Sequence, residues 1–110
     1  MSIAIIIDNP TTEAKKRFYV PVATEETFQT YWMSAAEALA LAWVPLFKTG
    51  VFIELEDAFV IIKEILLVRE WVTRNVTDLD RKSRLKERID FIIETVSTVF
   101  EEEGVKLYIG

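Results

Sequence analysis

The stretch AFVIIKEILLVREWV, residues 58 to 72, holds eleven apolar residues in fifteen. It falls short of the roughly 20 consecutive apolar residues that a membrane span needs. Its apolarity runs almost round a helix, and helices of that kind are normally enclosed. Any fold for this chain must therefore supply a cover for residues 58–72.

A helical projection narrows the choice. At roughly 100° per residue with Lys63 at zero, Glu56 and Arg74 fall near 20° and Glu70 near 340°. These mark a narrow charged stripe. Val60, Leu67 and Trp71 lie beside it, at roughly 60°, 40° and 80°, while Phe59 and Leu66 flank the other side. Two arrangements fit. The helix is central, sandwiched between a sheet and another helix, or Val60, Leu67 and Trp71 cover a partner protein or a second copy of the chain. A chain of 110 residues can cover few helices on both sides. A tryptophan among aliphatic residues is also typical of an interface anchor.

The rest of the chain is shorter punctuation around this helix. Ser2 to Ile7 is β-branched and stops at Asp8-Asn9-Pro10, so it reads as a buried strand and a turn. Arg17 to Val22 alternates, with Phe18, Val20 and Val22 on one face. Pro21 cannot donate to a ladder, which makes this an edge strand, and TTEAKK before it fits a hairpin loop. Thr24 caps a helix with Glu25 and Glu26 in its first turn. Phe28, Tyr31, Trp32, Ala35, Ala36 and Leu39 form its apolar face, and Pro45 ends the run. Lys48-Thr49-Gly50 between apolar residues fits a hairpin with a left-handed glycine, and a plain loop across 44–50 fits as well.

A second helix runs from about Leu55 to Arg74. A third starts at Asp78 or Asp80, with Leu85, Ile89, Ile92, Val96 and Val99 as its stripe and Gly104 past its end. VKLYIG reads as a last strand, a neighbour of the first. The order is β-β-α-(β-β)-α-α-β. The expected fold is α+β, one globular domain over 1–110: a small, mostly antiparallel sheet of three to five strands with three helices on one face.

Composition removes several chemistries. The chain has no cysteine and no histidine. Thiol catalysis, thiolate and imidazole metal sites and the usual serine triad are excluded. Net charge is −5, which disfavours generic binding to nucleic acid or anionic membranes. The aromatic residues Tyr19, Tyr31, Trp32, Trp43 and Trp71 have no basic strip among them, so they read as core. The N-terminus has no basic region and only five apolar residues in a row, Ile3 to Ile7, unlike a signal peptide. A cytoplasmic protein without metal or cofactor is expected.

The third helix carries Arg81, Lys82, Arg84, Lys86 and Arg88 early and Glu101, Glu102 and Glu103 at its end. This opposes the helix dipole, so the five cations form a candidate patch for an anion or an acidic partner. Glu54, Glu56 and Asp57 cluster at the start of the second helix, and Asp8 follows the first strand. Capping and turn roles account for these carboxylates better than catalysis. The functional expectation is a small acidic non-enzymatic protein that binds protein, of the inhibitor or immunity type that masks a basic site. The alternative is a homo-oligomeric structural or assembly component, such as a small phage-encoded chaperone.

Overall fold

The computed structural model describes residues 2–110. Strand β1, Ser2–Ile7, is the first of four. A short helix α1, Glu13–Lys16, follows, capped by the Thr12 side chain, which accepts from the Lys15 N–H. It stands where a hairpin loop was expected. The local cause is that Thr12 and Glu13 supply an N-cap and a dipole-favoured acid in one short polar segment. Strand β2, Tyr19–Thr24, lies two residues later than expected at both ends.

Thr24 does cap the next helical rod, its hydroxyl accepting the Thr27 N–H at 3.1 Å. The rod comprises α2, Glu25–Thr27, a π-helical stretch Phe28–Trp32, and α3, Met33–Leu39. Phe28, Trp32, Ala35 and Ala36 are buried, while Leu39 is exposed. The rod stops well before Pro45. Ala40 turns left-handed at φ 53°, and the Leu41 N–H returns to the Ala36 carbonyl at 2.9 Å.

The expected hairpin over 44–53 does not form. Val44–Lys48 is a 3₁₀ helix with Pro45 in its first turn, where a missing N–H is harmless. Gly50 does take a positive φ, 108°. Only Val51–Ile53 is a strand, β3, and it pairs elsewhere. The long helices are close to expectation: α4 is Leu55–Asn75 and α5 is Leu79–Val99, capped by Asp78. Strand β4, Leu107–Ile109, closes the chain.

The sheet is antiparallel throughout, in the order β2-β1-β4-β3. The fold is α+β. The first and last strands are neighbours, and Pro21 sits on an edge strand, as the sequence implied. One sheet face carries Ile3, Ile5, Ile7, Val20, Val22, Ile53, Leu107 and Ile109, all buried in one core with the helices. Trp32 fills its centre, stacked on Phe28 at 5.8 Å and tilted against Phe47 at 6.5 Å.

Candidate functional site

The surface of α4 divides into three zones. Ala58, Ile61, Ile65, Val68 and Val72 face the core, together with Glu64, the one buried charged residue among those described. Opposite them run Glu56, Lys63, Glu70 and Arg74, within roughly 40° of arc. On one side of this stripe lie Val60 and Leu67, both exposed, and Trp71, which is half-buried against the core. Leu67 and Trp71 line a cleft of about 180 Å³ with Leu39, Glu70, Arg74 and Asn75.

The other flank is more open still. Leu55, Phe59 and Leu66 are exposed there, and Phe59 keeps 77 % of its surface open. The candidate trio Val60, Leu67 and Trp71 is thus brought together, but as half of a broader apolar face. The helix is covered on its inner side by the core and by α5, and its outer side is bare among the described residues.

A second apolar surface had no counterpart in the sequence reading. On the open face of the sheet, Ile6 is paired with Tyr19 on one side and with Tyr108 on the other, and Tyr108 is paired with Phe52. The four residues form one row across all four strands. Tyr19, Phe52 and Ile6 are exposed, so Tyr19 is not a core residue. Tyr108 lies over Gly50 and Gly110, and its ring meets Phe52 at 5.0 Å. Lys106 stands 5.7 Å over the Phe52 ring and 3.5 Å from Glu54. Strict alternation was legible in VKLYIG, but Ile6 was hidden inside the unbroken apolar run of β1.

The five cations of α5 do not form one patch. Arg81, Arg84 and Arg88 share a side beside the end of β2. Lys82 and Lys86 fall across the buried stripe of Leu85 and Ile89, roughly 100–140° round from Arg81. The arginines are also engaged within the chain. Arg84 pairs with Asp80 one turn earlier. Arg81 stands 5.8 Å over the Tyr31 ring, and Arg88 reaches the Pro21 carbonyl at 3.5 Å. The cluster is thus divided between two sides of α5, and among the described residues only Arg84 of its five cations is paired with a carboxylate.

Two of the four candidate carboxylates, Glu54 and Asp57, have partners close in the fold. Asp57 accepts the Glu54 N–H at 3.1 Å across the start of α4. Asp8 belongs to a turn, its N–H donated to the Lys106 carbonyl at 2.8 Å, with Asn9 left-handed at φ 49°. Among the described residues, no group of three or more acidic side chains is placed to hold a metal ion, and no helix is long and apolar enough to cross a membrane.

Glu64 is the residue the projection passed over. Its carboxylate accepts N–H groups from Ala42 at 3.3 Å, Trp43 at 3.0 Å and Val44 at 3.0 Å. It clamps the start of the 3₁₀ helix onto α4. A signal existed: Glu64 sits between Ile61, Ile65 and Val68 at helical spacing, on the apolar side. A charge there needs several partners to be buried.

Compared with protein families, with curated proteins and with solved structures, the chain matches none.

Proposed function

We propose that the chain is a non-enzymatic protein-binding component whose interface is the outer face of α4. The observation that carries this is the exposure of Leu55, Phe59 and Leu66 on one flank of the charged stripe and of Val60 and Leu67 on the other. Together they leave open on the order of 500 Å² of apolar surface, taking about 150–250 Å² for a large side chain. Divided as it is by the narrow charged stripe, this surface is comparable with the largest apolar patch on a typical monomer, about 300–600 Å², where such patches are often functional. Between the two readings of the sequence, this surface favours a structural or assembly component that self-associates. A cytoplasmic location and independence from metals, nucleic acid and membranes belong to the same proposal.

The inhibitor reading draws on a different observation. Glu101, Glu102 and Glu103 are all exposed just past α5, and net charge is −5. That acidity would speed encounter with a basic partner in a salt-sensitive way.

Absolute mass by light scattering across a concentration series tests the proposal, run on the native chain and on Phe59→Glu. Self-association that Phe59→Glu abolishes, with a melting temperature unchanged at concentrations where the native chain is monomeric, is the expected result. Self-association that survives Phe59→Glu but is lost in Phe52→Glu would move the interface to the sheet row and overturn it.

A further inference from the structure

We infer that the occupant of the α4 face is a second copy of this chain, with the two α4 helices antiparallel about a two-fold axis near Ile65. The inference rests on the reading of α4 as an interface and adds its occupant and register.

The charges of the outer stripe carry it. Along α4 they alternate: Glu56, Lys63, Glu70, Arg74. Within the chain Arg74 pairs with Glu70 at 2.6 Å, on the exposed surface. Glu56 and Lys63 have no ion-pair partner among the described residues. α4 runs Leu55–Asn75, so Ile65 is its midpoint. Glu56 and Arg74 stand at equal distances on either side of that midpoint. An antiparallel copy therefore sets Glu56 level with Arg74 of the second copy, and symmetry repeats the pair. Lys63 comes within about 4.5 Å, along the axis, of Glu70 of the second copy, from a rise of about 1.5 Å per residue. A parallel copy would set Glu56 on Glu56 and Lys63 on Lys63, and like charges oppose that arrangement.

The apolar flanks agree with the same register. Val60 falls about one residue's rise, ~1.5 Å, from the level of Trp71 of the second copy, beside the Leu67–Trp71 cleft. Leu66 lies next to the axis and meets its own counterpart. Two such faces together cover about 1,000 Å², which is where specific interfaces begin. Placing a charged stripe between apolar flanks would be costly if the charges were left unmatched. Here every charge of the stripe finds an opposite one.

The test is a charge exchange read by sedimentation equilibrium on the full chain. Glu56→Arg sets two guanidinium groups against each other, and Arg74→Glu two carboxylates. Each alone is expected to raise the dimer dissociation constant about tenfold. An equimolar mixture of the two variants, and the double variant E56R/R74E, should each restore native affinity. Melting temperatures taken where every form is monomeric should stay near native, because both side chains are exposed in the monomer. If the single variants have no effect, or the double variant stays weak, the register is overturned. The reading of α4 as an interface would still stand in that case, provided Phe59→Glu breaks the dimer. A dimer indifferent to Phe59→Glu overturns both. A monomer at every concentration overturns the second copy as occupant.

Discussion

The carboxylate of Glu64 accepts the backbone N–H of Val44 at 3.0 Å, across twenty residues of chain. This contact and its neighbours at Ala42 and Trp43 tie the turn after α3 to the middle of α4. Removing the carboxylate leaves the buried Val44 donor and the part-buried donors of Ala42 and Trp43 without that acceptor. Glu64→Ala is expected to destabilise the fold by about 2–4 kcal/mol. Glu64→Gln keeps one acceptor oxygen and should lose roughly half as much. Urea unfolding of both variants checks this, and equal losses would contradict the clamp.

Phe59 and Ile65 lie on the same helix and should respond in opposite ways. Ile65 has no exposed surface, and Phe59 has most of its own open. Ile65→Ala should cost about 2–5 kcal/mol through lost burial and a cavity. Phe59→Ser should stay within about 0.5 kcal/mol of native, measured under conditions that keep the native chain monomeric. A large loss at Phe59 would show that its ring is covered within the monomer.

Gly50 is constrained twice. Its φ is +108°, and a Cβ placed on it would stand 2.0 Å from the Tyr108 hydroxyl. Gly50→Ala should therefore cost about 1–3 kcal/mol. Tyr108→Ala should relieve the clash and leave the backbone strain. The double variant is then less destabilised than the sum of the singles, a coupling that a thermal-unfolding cycle can measure.

Arg69 bridges α4 to α5 by two bonds to Asp90, at 2.7 and 3.2 Å. Its guanidinium is held above the ordinary arginine value, chiefly by the hydrogen bond to Asp90, against a smaller opposing effect of burial. A raised cation pKa means that its contribution is complete below the unfolded value and is lost only as pH rises through the folded one. That window lies in strong alkali, so ordinary pH changes leave the Arg69 side of the bridge charged. Both partners are partly solvated. Asp90→Asn should thus cost under about 1 kcal/mol, and less in high salt. Unfolding at low and at high salt reads both effects.

The long helices could be read from the chain because their signals are local. Asp78 supplies a cap and Leu85, Ile89, Ile92 and Val96 a regular stripe, and the start of α5 follows directly. The segment at 44–50 could not be read in the same way. Its apolar residues and its glycine suit a hairpin locally. The Val44 N–H instead goes to a side chain twenty residues away, the N–H groups of Leu46, Thr49 and Gly50 close tight turns onto Trp43 and Leu46, and the strand that follows pairs with β4 at the other end of the sequence. Long-range pairing overrode a reasonable local preference.

The same division holds for the candidate surfaces. From the sequence alone came the α+β order, the edge position of β2, the exclusion of thiol and imidazole chemistry, and the charged stripe on α4. Each follows from residue type and spacing within one element. The tertiary structure decided that both flanks of the α4 stripe stay bare, that Glu64 reaches the backbone of residues 42–44, and that Arg81, Arg84 and Arg88 lie beside the end of β2. It also gathered Tyr19, Ile6, Tyr108 and Phe52 into one row. The physical reason is that burial is shared between elements: spacing sets which residues share a face, and only packing sets which face is covered.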